Sequence, residues 1–285
     1  MTDFRPRGFQ QIPVVVRNLL IINVLVFLVK MMFESRGLSF GRDNTGNLVS
    51  FEDLFALHSW QSTKFRWWQM FTHMFMHGGF GHIFFNMFAL WMFGRILENV
   101  WGAQRFIIFY LICGVGAAIC HEAVLSFEHI QFYDAFKAYQ QHPSFEAYAQ
   151  FMKQHPMAGN SIADRILNFW SLNKDCGDCA STSITNINAY YAAVADTATV
   201  GASGAVFGLL FAFGYLFPNT ELYIYFIPVP VKAKWVVTGY ALIEITQGLA
   251  NSAGDNIAHF AHLGGMLFAF ILLRIWKKNV RNDFY

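Results

Sequence analysis

Charge is what this chain has least of. Asp, Glu, Lys and Arg supply 13% of its 285 residues and hydrophobic residues 55%, against a charged share of about 25% in soluble domains. A water-facing globular chain is thereby excluded, and a polytopic membrane protein is expected. The net charge of +2 is too small for the electrostatic footprint of a nucleic-acid binder. No cleavable signal peptide is expected, because the first apolar run follows Arg17 and is long enough to stay as a span, and no Arg- and Ser-rich transit peptide is expected either. No His-Glu-x-x-His pair occurs, and the histidine-bearing spans lack carboxylates, which argues against metal. Cysteine is scarce: Cys176-Gly177-Asp178-Cys179 has no thioredoxin-like surroundings, leaving a disulfide or a pair of thiols, while Cys113 and Cys120 suit apolar packing.

What is present is apolar sequence in spanning lengths. Runs at 14–33, 80–97, 106–125, 201–217, 235–249 and 257–276 predict six helices. The fold expected is an all-α membrane protein, a six-transmembrane-helix bundle with an external helical insertion between helices 3 and 4. Residues 1–13 form an N-terminal tail, 14–276 the membrane domain interrupted by the insertion at 126–198, and 277–285 a C-terminal tail. Lys and Arg gather in cytoplasmic loops. Here Arg5, Arg7 and Arg17 precede span one, Arg95 and Arg105 flank the second loop, and Lys232 and Lys234 lie in the fourth. Arg274, Lys277, Lys278 and Arg281 end the chain, whereas the loop 251–256 has none. Both termini are therefore expected in the cytoplasm, with a bacterial plasma (inner) membrane as the simplest location. The first loop, with Trp60, Trp67 and Trp68, suits the headgroup level. In the insertion, Pro143 predicts a helix start with Phe145, Tyr148 and Met152 on one face. Ser161 predicts a second, carrying Ile162, Ile166 and Phe169.

Polar residues inside these runs need a reason. Ser203 opens a segment that ends at Pro218 and is shorter than the roughly 20 residues of a full crossing. Its helix is expected to start below the surface, where irregular backbone borders a wet cavity. His82 and Asn86 share one face of span two, and His262 lies a little below the start of span six. Spans two, four and six run in the same direction, so these residues share a depth. The helix N-termini converging there favour an anion. A serine, a histidine and amide donors around such a pocket are a constellation for acyl transfer. His259 is a rival base, but Gly265, one turn beyond His262, lets span six approach span four and favours His262. The pairs Gly204/Gly208 and Gly265/Ala269 suit close helix packing. Glu244 in span five reads as bonded to neighbouring helices or marking an ion path, outside the catalytic set.

The runs Gly201-Ala202-Ser203-Gly204 and Ala261-His262-Leu263-Gly264-Gly265, with His77, His82 and Asn86, resemble the rhomboid family of intramembrane serine proteases. The resemblance covers about residues 14–125 and 199–276. It implies Ser203 as nucleophile and His262 as general base, with His82, Asn86 and the Ser203 backbone N–H as the oxyanion hole. Gly201, Phe207, His77 and Gly265 would be supporting residues. Phe207 stands where the family often has a tyrosine stacked on the histidine; no carboxylate accompanies His262 within span six, so ring packing is the expected substitute. The resemblance implies no metal and no cofactor. Its partners would be the lipid bilayer and transmembrane protein substrates entering between spans two and five beside the loop 251–256; it fixes no oligomeric state. Where the family often has Trp-Arg before span two this chain has Trp68-Gln69, so the anchoring of the first loop does not carry over. The alternatives are a catalytically silent client-binding protein, or a metal hydrolase or transporter built on His73, His77, His82, His259 and His262.

Overall fold

A computed structural model describes residues 12–43, 46–155, 161–223, 229–249 and 256–279, with only the helical backbone at 256–258 and 278–279. Arg5, Arg7, Arg281 and the 251–255 part of the expected gate lie outside the described residues. The elements in chain order are α1 (Val14–Ser35), α2 (Phe51–Phe55), α3 (Gln69–Thr72), a 3₁₀ turn (His73–Phe75), and α4 (Phe80–Ala89). A π-helical stretch (Leu90–Gly94) continues α4 into α5 (Arg95–Trp101). Then come α6 (Ala103–Gln141), α7 (Phe145–Gln154), α8 (Ser161–Leu172), α9 (Cys179–Ala195) and α10 (Ser203–Leu216). A two-stranded ladder of β1 (Glu221–Leu222) and β2 (Val231–Lys232) leads to α11 (Ala233–Leu249) and α12 (Asn256–Asn279).

The chain is an all-α membrane bundle. Among the described residues, four helical stretches, Val14–Ser35, Phe80–Trp101, Ala103–Gln141 and His259–Lys277, are long and apolar enough to cross a bilayer. Helix α10 has 14 residues, about 21 Å at 1.5 Å per residue, short of the roughly 30 Å hydrocarbon core. It is apolar on every side and sits at the centre: Ala205, Leu209, Ala212 and Phe213 are all buried, as expected of a helix enclosed by others.

Glycine sets how closely α6, α10 and α12 approach. A Cβ on Gly265 would lie 1.9 Å from the Gly204 carbonyl oxygen, one on Gly204 2.3 Å from Ala117 Cβ, and one on Gly208 2.8 Å from Cys113 Cβ. The small-residue pairs read from the sequence are therefore contact points between backbones. At the other end of the bundle, α1 starts after Pro13 with no side-chain cap of its own. The buried Glu98 carboxylate takes that place, accepting from Val15 N–H at 2.9 Å and Val16 N–H at 2.8 Å, which satisfies orphan donors at a positive helix end.

The insertion begins inside α6. That helix runs 39 residues, well past the end of the apolar run at 125, because nothing breaks it before His142-Pro143. Ser144 rather than Pro143 starts α7, accepting from Ala147 N–H at 3.1 Å. Helix α7 turns Tyr148 and Phe151 inward, with Met152 partly buried. Helix α8 starts at Ser161 but buries Ala163, Ile166 and Trp170, leaving Ile162 and Phe169 exposed. Ile166 thus faces inward as read from the sequence, while its companions are Ala163 and Trp170, each one residue on from Ile162 and Phe169. These faces meet the last turns of α6 and α9 in a second apolar core around Phe136, Tyr139, Tyr148 and Ile187, and Cys176 and Cys179 form a disulfide.

Candidate active site

The first loop builds one wall of the site. Ser50 and Asp53 form a capping box at α2. The buried Gln69 amide then ties the loop from inside: its Oε1 accepts from Arg66 N–H at 3.1 Å and His58 N–H at 3.3 Å, and its Nε2 donates to the Asp53 carbonyl at 2.9 Å and the Lys64 carbonyl at 3.0 Å. Anchoring falls to Gln69 itself, at the position where the family's arginine was missed. Burial holds the neighbouring His58 imidazole below its ordinary pKa, against the pull of the Ala56 carbonyl. Leu57 and Thr199 exchange backbone hydrogen bonds of 2.9 and 2.7 Å, so this loop holds the strand-like segment that feeds Ser203.

From Thr199 the chain makes one sharp turn. Gly201 has φ +133°, a conformation that side chains avoid, and its N–H donates to the His73 carbonyl at 3.0 Å. A Cβ there would lie 2.8 Å from His82 Nε2 and 3.5 Å from Ser203 Oγ. Gly201 is thus required by both its backbone and its neighbours. Ser203 follows as the first residue of α10, with its backbone N–H among those that lack an intrahelical partner.

His262 of α12 meets it. Nε2 lies 2.9 Å from Ser203 Oγ, and the ring stacks on Phe207 with centroids 4.1 Å apart and planes 9° from parallel. Glu244 bonds to a neighbouring helix, as its place in span five suggests, and it also reaches the far side of the His262 ring. Glu244 of α11, buried, brings Oε2 to 3.1 Å from His262 Nδ1 and to 2.6 Å from His259 Nδ1. With His259 it forms a hydrogen bond. With His262 it is within ion-pair range but off the hydrogen-bonding direction, so that buried Nδ1 has no aligned partner. The sequence signal was a charge inside a span; its partner lay across a helix boundary that spacing cannot bridge.

The α4 side presents the rest. His82 Nδ1 faces Gly78 N–H at 3.4 Å, which leaves the proton for Nε2, the nitrogen beside Gly201. Asn86 is buried and spends one amide hydrogen on the His82 carbonyl at 3.0 Å, one turn back on its own helix; the other remains. His77 stands behind, its ring edge-to-face with His82 at 5.2 Å. Its carbonyl accepts from Lys30 Nζ at 3.1 Å. Lys30 also pairs with Glu34 at 3.3 Å and with Glu52, so one buried lysine of α1 joins the loop before α4 to α2. A cavity of about 40 Å³ lies beside Ser203, lined by His73, His121, Thr199, Gly201 and His262 among others, and Thr199 Oγ1 is 2.9 Å from His121 Nε2. Its lining is mostly apolar, but these histidine and threonine side chains give a water polar partners, and it is large enough to hold one.

Ser203, His262, Phe207, Gly201, Gly265 and His82 are therefore gathered at one place, with Asn86 and His77 on its flank. The Rhomboid domain family model matches residues 64–130 and 179–278, more than half of the chain, and the chain belongs to the rhomboid family. It is 33% identical to rhomboid protease GluP of Bacillus subtilis (strain 168) over 89 residues, 31% of this chain and 17% of that protein. It is 24% identical over 231 residues to an uncharacterised mitochondrial rhomboid protein of Schizosaccharomyces pombe, 75% of this chain and 52% of the relative. With rhomboid protease AarA of Providencia stuartii the figures are 29% over 103 residues, 36% and 34%. The chain spans at most about half the length of these relatives, and bacterial and organellar proteins both occur among them.

Proposed function

We propose that this chain is an intramembrane serine endopeptidase that cleaves transmembrane proteins at or near their membrane segments through Ser203 and His262. The observation that carries this reading is the 2.9 Å contact between His262 Nε2 and Ser203 Oγ across two helices. A serine hydroxyl becomes an effective nucleophile when a base within that reach takes its proton. As Oγ attacks the scissile carbonyl carbon, the proton passes to Nε2 and charge gathers on the carbonyl oxygen. The Ser203 N–H, His82 Nε2–H and the second amide hydrogen of Asn86 are the donors proposed for that oxygen, each contributing about 10²- to 10³-fold. Imidazolium then protonates the leaving amine, and a water from the adjoining cavity hydrolyses the acyl-serine, passing its proton back through His262.

Phe207 fixes the plane of the ring. Glu244 adds a negative charge 3.1 Å from Nδ1, which favours the imidazolium over the neutral ring as the proton arrives. Six spans with both termini in the cytoplasm of a bacterial plasma membrane complete the reading, supported by the Lys and Arg bias of the short loops. The segment 126–198 would then form the external cap, and the substrate would enter from the lipid beside α4 and α11.

The test is cleavage of a model transmembrane substrate by the purified chain in detergent, with labelling by a fluorophosphonate probe. Expected are cleavage and a single label on Ser203, both abolished in Ser203→Ala. Binding of the substrate with neither cleavage nor labelling would make the chain a client-binder instead.

A further inference from the structure

His262 Nε2 is engaged by Ser203; Nδ1 faces a second group of donors. Glu244 Oε2, His259 Nδ1 and His262 lie with their ligand atoms within 4.8 Å of one another. His259 and His262 are three apart on α12, so both rings lie on one face of that helix, and Glu244 comes from α11 opposite. The His262 Nδ1 atom is buried without an aligned hydrogen-bond partner. Two imidazoles and one carboxylate, with a water in the fourth position, make a tetrahedral zinc donor set.

We infer that these three side chains form a binding site for Zn²⁺, and that zinc held there switches off Ser203. Metal–ligand bonds of about 2.0–2.2 Å put tetrahedral ligand atoms roughly 3.3 Å apart. The contacts of 2.6 Å and 3.1 Å from Glu244 must widen slightly, and the two imidazole nitrogens, which lie within 4.8 Å of each other, must settle at the same spacing, to admit the ion. Inactivation follows from the tautomer. A metal on Nδ1 takes the lone pair there and leaves the ring proton on Nε2, so that nitrogen donates to Ser203 Oγ and cannot accept its proton. His259 likewise releases its Nδ1 proton or moves it to Nε2 to become a ligand. The inhibitory half of this inference rests on the peptidase reading; the binding half does not.

The experiment separates the two. The Ser203→Ala chain in detergent, equilibrated with zinc, should bind one ion more per chain than Ser203→Ala carrying His259→Asn. Cobalt added to the otherwise unchanged chain should give the absorption of a tetrahedral centre that zinc displaces, a readout that needs no variant to fold. On the active chain, zinc should stop cleavage reversibly, with activity restored by a chelator. His259→Asn should raise the half-inhibiting concentration by roughly 100-fold, the upper end of what losing even an outer-shell partner does to metal affinity. Equal zinc binding with and without His259, and no tetrahedral cobalt spectrum, overturns the site whatever the peptidase result. Binding without any loss of cleavage overturns the switch. No cleavage in metal-free buffer sinks the peptidase reading while the zinc count still decides the site.

Discussion

Ser203 and His262 could be picked out of the sequence because a hydroxyl and an imidazole inside apolar helices are costly and need a reason. Gly265 could be picked out because only a small residue lets the two helices touch. Gly265→Ala tests that geometry: its Cβ would fall 1.9 Å from the Gly204 carbonyl oxygen, backbone against backbone. We expect α12 to be pushed off α10, lengthening the His262–Ser203 contact, with a stability loss of about 1–3 kcal/mol for overpacking read by thermal unfolding in detergent, and loss of serine labelling. Glu244 was visible only as a charge in a span. Nothing along the chain says which ring it meets, because that depends on how α11 leans on α12. Its carboxylate stands 3.1 Å from the ring that gains the proton and acts on it as a charge, so Glu244→Gln should lower kcat roughly 10-fold, about 1.4 kcal/mol, with little change in KM.

At the scale of elements, the helices were legible because apolar runs, Pro143 and Pro218 punctuate them. The first loop was not. Its order comes from one amide, Gln69, bonded to four backbone groups, and side-chain-to-backbone bonds across a loop leave no periodicity to read. Gln69→Ala leaves two N–H groups and two carbonyls buried without that partner, at about 1–3 kcal/mol each where water cannot reach them. Faster hydrogen exchange at His58, Arg66 and the Leu57–Thr199 bridge is expected, with activity falling because that bridge positions the turn into Ser203. The stripe of α8 shows another limit. Ile162 and Phe169 are apolar enough to suggest a face, yet Ala163 and Trp170, a full two turns apart, are the residues that turn inward with Ile166.

For the whole molecule, two apolar cores are joined through one helix: the bundle around α10 and the cap around Tyr148. The cap carries the Cys176–Cys179 disulfide, and such bonds persist in oxidising compartments. On the proposed topology those sulfurs face outward. In intact cells a membrane-impermeant reductant followed by an impermeant maleimide should label Cys176 and Cys179, with labelling absent from Cys176→Ser/Cys179→Ser and absent without reductant. Labelling that needs the membrane to be opened would reverse the orientation.

Helix α6 carries Ala117, Ala118 and His121 in the lining of the serine cavity and Phe136 and Tyr139 in the cap core on a single rod of 39 residues. The compass bearing of the cap over Ser203 is therefore set by counting: each residue added to or removed from the rod between His121 and Phe136 swings everything above it by about 100°. Cap sequences are free to drift, but the length of their stalk is not.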